Sequence, residues 1–217
     1  ANRIHEELKK GKVVVLAGFQ GVDPTTKEIT TLGRGGSDTT AVAMAAAFKA
    51  HCCEIIKEVE GLCSADPKII SHPKVYAKIN YNEILEMCFW GAKVLHYRSV
   101  ELAKVMQIPL EIHFANNTLH KTTIRGEKSM FEDQQVLAIN SHVEIHHLEV
   151  CNIENLAQGF KQIELFLEET QLAWPQILAS TMEGRTLRMM YTSDSEHLGA
   201  LTQGLKNHPV CKTHCSP

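Results

Sequence analysis

Between Gly33 and Asp38 the chain reads Gly-Arg-Gly-Gly-Ser-Asp, and these residue types suit the holding of an anion. Gly33, Gly35 and Gly36 relax the backbone and let a ligand approach main-chain N–H groups. Ser37 and Asp38 are both good helix N-cap types, and an alanine-rich run follows, Asp38 to Ala50. A helix start offers free N–H groups and the positive end of a dipole. Arg34 adds a planar cationic fork matched to a carboxylate or a phosphate. Taken alone, the same run is equally a glycine turn before a capped helix. A second group, His208, Cys211, His214 and Cys215, has donors for a soft metal. Its spacing fits no common zinc pattern and prolines flank it, so no metal is assigned. His146 and His147 fall in a strand, which predicts one buried and hydrogen-bonded and one exposed.

The elements that must position the glycine run are legible on either side. Ala1 to Lys10 reads as the end of an amphipathic helix closed by Gly11. Lys12 to Phe19 is almost unbroken valine and leucine, which predicts a buried strand of the parallel-sheet kind. Gly21 to Lys27 holds Asp23-Pro24, a hairpin tip, and a short strand then delivers the chain to Gly33. Cys53 to Val59 is the next strand, and Gly61 to Ser71 a loop. Asn80 with Glu83 predicts a capping box for a helix to Phe89. Gly91 breaks the pattern, a second helix runs from about Ala92 to Met106, and Leu110 to Phe114 is a strand. This alternation predicts a three-layer α/β domain over residues 1–127.

A polar stretch, residues 128–135, reads as a linker, and the rhythm then changes. Val136 to Ile139 and Val143 to Val150 are strand-like. Ile153 to Glu169 places Leu156, Phe160, Ile163 and Leu167 on one helical face. Gln176 to Ser180 and Thr186 to Tyr191 are strands joined at Glu183-Gly184, and Glu196 to Leu205 is a helix. This order predicts an α+β ferredoxin-like unit over residues 136–217. Its last strand, within Asn207 to Pro217, is expected to be poorly formed, leaving a sheet edge that seeks a partner and favours a homodimer.

Composition narrows the function classes. The chain has 217 residues and a net charge of −3, enough for one large domain or two small ones, with no basic run to point to nucleic acid. No apolar stretch is long enough for a membrane span, and no signal peptide is read. Seven cysteines without a Cys-x-x-Cys pair point to reduced thiols and a cytoplasmic location.

The string Thr31-Leu32-Gly33-Arg34-Gly35-Gly36-Ser37-Asp38 resembles the substrate loop of the aspartokinases, members of the amino-acid kinase family. Three further stretches stand in that family's order: Gly18 to Gly21, Glu60 to Pro67, and Gly91 to His96. The resemblance covers roughly Arg3 to Glu127 and implies the C-terminal half of a kinase domain followed by an ACT-like regulatory unit. It implies ATP and Mg²⁺ as cofactors and L-aspartate as substrate. Arg34, Gly35, Gly36 and Ser37 would bind that substrate, and Asp38 would be catalytic. Lys57, Glu58, Cys63, Lys68, Lys93 and Val94 would face the nucleotide. Lysine or threonine would be the effector.

The chain departs from the family on the nucleotide side. Lys57-Glu58-Val59-Glu60-Gly61 stands where aspartokinases usually read Thr-Asp-Val-Asp-Gly. Cys63 replaces an aromatic residue, Lys68 an arginine, and Tyr97 the proline of a His-Pro pair. Nothing resembles the family's opening Lys-Phe-Gly-Gly phosphate loop, so the isolated chain is expected to be inactive, as a fragment or as a natural partial paralogue. A rival reading is a non-catalytic, amino-acid-sensing regulatory protein with a degenerate kinase half.

Overall fold

A computed structural model describes residues 2–33, 35–115, 117–126, 136–142, 144–193, 199–201, 203–204 and 211–215. It divides into two compact units, Ala1–Ser141 and His142–Pro217. The linker expected at residues 128–135 lies outside the described residues.

The first unit opens with helix α1 (Asn2–Lys9) and a hairpin of β1 (Gln20–Val22) and β2 (Ile29–Thr31). The Asp23 carboxylate accepts from the N–H groups of Thr25 and Thr26 and closes the hairpin turn. Helix α2 (Gly36–Ala47) leads to β3 (Cys53–Lys57) and a second hairpin, β4 (Leu62–Cys63) with β5 (Val75–Tyr76). Then come β6 (Lys78–Asn80), α3 (Tyr81–Phe89), α4 (Tyr97–Met106), β7 (Leu110–Phe114) and β8 (Asn117–Arg125). The capping box is present, with Asn80 accepting from Glu83 N–H and Glu83 accepting from Asn80 N–H, each at 2.9 Å.

The main sheet has the order β3-β7-β8-β6. The β3–β7 and β6–β8 pairs are parallel, and β7–β8 is antiparallel. Ile55, Leu110, Ile112 and Ile124 from this sheet are buried with Val42 of α2, Ile84 of α3 and Val100 of α4. His113 on β7 is buried too. Its ring meets the Phe114 carbonyl at 3.0 Å and the Glu54 carboxylate at 3.2 Å.

Three expectations for this unit are corrected. Lys12 to Phe19 is not a buried strand. Residues 12–18 join no ladder, and Val13 and Val15 are 92% and 91% exposed. The run has the composition of a doubly covered strand, but no described element covers Val13 or Val15. The second helix begins at Tyr97 rather than Ala92, because His96 caps it and residues 92–96 form a loop. Val136 to Ile139 is not a strand of the second unit. Leu137 and Ala138 pack on the first unit's core instead.

The second unit runs β9 (His146–Val150), α5 (Leu156–Thr170), β10 (Gln176–Glu183), β11 (Thr186–Thr192) and β12 (Cys211–Cys215). Its sheet order is β10-β11-β9-β12, and each neighbouring pair is antiparallel. Asn155 caps α5, and Ile163, Phe166 and Leu167 pack with Leu148, Val150, Leu187 and Tyr191. His146 is buried and His147 half-buried. The poorly formed last strand is also corrected, since β12 pairs with β9 along five residues. Pro209 and Pro217 lie outside the described residues. The side chains of Cys211, His214 and Cys215 lie outside the described residues. Among the described residues no helix is long and apolar enough to cross a membrane.

Two outcomes follow from this packing. Val13→Lys with Val15→Lys should leave urea unfolding of the chain within about 0.5 kcal/mol of the parent, as solvent-facing positions do. Ile112→Ala, by contrast, should cost about 2–5 kcal/mol. A large loss in the valine pair would show that something covers them. The Phe114 carbonyl, and then Glu54, raise the His113 pKa above its ordinary 6.5, against the smaller effect of burial. Glu111 adds to the rise, and the nearby Lys121 is held by Glu111 at 2.8 Å. Protonated His113 therefore stabilises the fold below pH 6.5, and this contribution is lost as pH rises through the raised value. Denaturation between pH 5.5 and 8 should show that slope, and His113→Gln should flatten it.

Candidate functional site

Parallel strands present their carboxyl ends to ligands in sheets of this kind, and Lys57 is the last residue of β3. Its ammonium lies 3.0 and 3.1 Å from the two carboxylate oxygens of Asp38. Asp38 sits in the first turn of α2, where the helix dipole favours a negative charge. The two side chains are 33% and 14% exposed, so water screens the pair only in part.

Neither Ser37 nor Asp38 caps α2. The N-cap is Gly35, in the left-handed region at φ 70°, ψ 13°, with no side-chain cap bond. A Cβ on Gly35 would stand 2.1 Å from Cγ of His96. His96 in turn caps α4, its Nδ1 accepting from Arg98 N–H at 3.3 Å. The Arg98 guanidinium donates to the Leu32 carbonyl at 2.8 Å, just ahead of Gly33. Two helix N-termini thus meet at one glycine loop. Gly36 is buried beneath Phe19 and Leu32. The hydroxyls of Thr39 and Thr40 donate to the Gly35 and Gly36 carbonyls at 2.9 and 2.8 Å. Thr40 also accepts from Phe19 N–H at 3.2 Å, tying the first hairpin to α2.

Arg34 lies outside the described residues. Ser37 is exposed at the second position of α2, and Glu58 is exposed just past β3. Cys63 is half-buried in β4, and burial, with Glu60 and Asp66, pushes its thiol pKa up. It is therefore a neutral wall rather than a nucleophile. Lys68 is exposed on a turn whose N–H donates to Asp66 at 2.9 Å. Lys93 is exposed and Val94 half-buried on the loop before α4, so Lys93 does not start a helix as the sequence reading expected. The structure brings Asp38 to Lys57 and the glycine loop to His96. No described contact joins Lys68 or Lys93 to that group.

Sequence reasoning missed His96 and Arg98 as partners of the loop. The signal was present: a histidine two residues before an arginine, after a glycine break. Placing the helix start at Ala92 concealed it.

Residues 1–113 match the family model described as the amino acid kinase family. An aspartokinase of Bacillus sp. (strain MGA3) is 37% identical over 206 residues, 95% of this chain and 50% of that protein. Aspartokinase 2 of Bacillus subtilis is 48% identical over 134 residues, 62% of this chain and 33% of its own. The crystal structure of E. coli aspartokinase III in complex with aspartate and ADP superposes with a TM-score of 0.73. It covers 99% of this chain and 48% of that one at 22% identity, which is a likeness of fold. The chain spans about half the length of the first two curated relatives it matches, and less of others.

The Gly35–His96 contact generates a sharp outcome. Left-handed backbone costs a residue with a Cβ about 1–2 kcal/mol, and Gly35→Ala must also displace the imidazole. Gly11 has a similar φ of 72° with nothing within 4 Å of its Cβ position. Gly35→Ala should therefore destabilise well beyond Gly11→Ala in urea unfolding. Equal losses would show that His96 yields freely.

Proposed function

The chain belongs to the amino acid kinase family, and from that premise we propose that it is the C-terminal, nucleotide-binding part of an aspartate kinase. The reaction is transfer of the γ-phosphoryl group of ATP to the side-chain carboxylate of L-aspartate. The observation that carries this reading is the Asp38–Lys57 pair at the carboxyl end of β3, beside the glycine loop. The aspartokinase relatives support it.

The acceptor carboxylate is already ionised at neutral pH, so the site needs no general base. Its task is to hold two anions together and neutralise shifting charge. Arg34 grips a substrate carboxylate as a bidentate fork, with Ser37 and the main chain at Gly35 and Gly36 beside it. Asp38 orients Lys57, whose ammonium faces the transferring phosphoryl group. Glu58, Cys63, Lys68, Lys93 and Val94 take the nucleotide side. The exposed carboxylates of Glu58 and Glu60, just past β3, are hard oxygen donors of the type that would hold Mg²⁺. When bound there, Mg²⁺ supplies neutralisation of phosphate charge.

The second unit, with sheet order β10-β11-β9-β12, is proposed as a ferredoxin-like, ACT-type regulatory domain. Lysine or threonine is its effector, and a homodimer forms through this unit, although β12 fills the edge that the sequence reading left open. The uncovered valines at 13 and 15 and the half-length match support a part of a longer kinase domain.

The 217-residue chain by itself should yield no aspartyl hydroxamate from ATP, Mg²⁺ and aspartate. Mixed with the uncovered half of the Bacillus sp. relative, it should yield product. In that mixture Arg34→Ala should raise the aspartate KM about ten- to hundredfold, the loss of a charged hydrogen bond, and the ATP KM much less. An unchanged aspartate KM removes Arg34 from the site. Absence of both product and ADP binding would favour a non-catalytic sensor.

A further inference from the structure

The β4–β5 hairpin, which carries Cys63, is held from two sides. On one side Thr122 of β8 accepts from Leu62 N–H at 2.8 Å and donates to the Tyr76 carbonyl at 2.6 Å. On the other side Leu137 and Ile139 bond to the same hairpin. Ile139 N–H donates to the Ser64 carbonyl at 2.8 Å, and the Tyr76 hydroxyl donates to the Leu137 carbonyl. The Tyr76 side chain is buried, and Leu137 and Ala138 pack on the core, while Val136 and Ile139 face solvent. Ser64 closes the hairpin from within, its N–H donating to the Lys74 carbonyl at 2.8 Å and its hydroxyl accepting from Lys74 N–H at 3.1 Å.

We propose that Tyr76 and the strap Leu137-Ala138-Ile139 are positioning elements for the nucleotide, fixing the Gly61 to Lys68 segment in its binding geometry. This rests on the assignment of that segment to the nucleotide. The strap holds the loop by its backbone at Ser64, with Leu137 and Ala138 packed on the core that buries Leu62, and so sets where Cys63 and Lys68 stand. Gly61, at φ 152°, is the pivot that needs holding. The chain enters the second unit at His142, three residues beyond Ile139. The strap is therefore a covalent link between the second unit and the backbone of Ser64.

The test uses the full chain and two variants. Tyr76→Phe keeps the buried ring and removes the hydroxyl. Ile139→Pro removes the N–H at a solvent-facing position, and Ile139→Val is the conservative control. Amide exchange across residues 62–76 should quicken about three- to tenfold in the first two variants, as loss of one hydrogen bond predicts. Exchange across residues 110–114 should stay as in the parent, and Ile139→Val should match the parent throughout. Affinity for a fluorescent ADP analogue, read with the uncovered half of the Bacillus sp. relative supplied, should fall about threefold or more with the same two variants. Unchanged exchange across residues 62–76 overturns the strap. Quickened exchange with unchanged ADP affinity overturns its positioning role. Failure of the parent mixture to bind ADP overturns the nucleotide reading instead, and exchange still decides whether the strap holds the hairpin.

Discussion

The ring of His96 occupies the space in which any other residue at position 35 would carry a side chain. That exclusion organises the first unit. It forces glycine at the N-cap of α2 and leaves that helix start without a side-chain cap. It brings the N-terminus of α4 to the same place, because His96 is the cap of α4. Arg98, two residues on, then reaches the Leu32 carbonyl and fixes the approach to the loop. Asp38 is placed by the same start of α2, and Lys57 by the end of β3, so their meeting depends on a helix–helix contact formed elsewhere. The geometry of the candidate site is a consequence of an imidazole ring packed against a glycine backbone.

Local chemistry was legible wherever one element carried its own signal. The Asn80–Glu83 box, the strand from Leu110 to Phe114 and the turn at Glu183-Gly184 all stand where local rules put them. The glycine loop was legible by residue type, although its cap was assigned to Ser37 or Asp38 rather than Gly35. What escaped depended on distant partners. β6 and β8 have unremarkable sequences and exist as strands because they pair with each other and β8 with β7. β12 forms against β9 despite few strong β-formers, since the ladder supplies what propensity lacks. Leu137 reads as strand from its neighbours, yet its carbonyl is claimed by a tyrosine hydroxyl far away in sequence.

Charge is distributed with the same economy. The thiols near the sheet are kept neutral, with burial raising Cys53 to about 11 and Cys88 to about 12. Carboxylates on the sheet face basic side chains across neighbouring strands, Glu111 with Lys121 and Glu54 with His113. Asp38 alone among these pairs joins a helix start to a strand end.

The run from Val13 to Leu16 has a consequence outside the folded structure. Extended apolar backbone without a neighbour is what cellular quality control binds and what proteases enter. A chain presenting Val13 and Val15 at more than nine-tenths exposure should be short-lived in a cell until something lies over them. Its lifetime would then report how often it is covered. Abundance in a cell would then follow how often this tetrapeptide is covered.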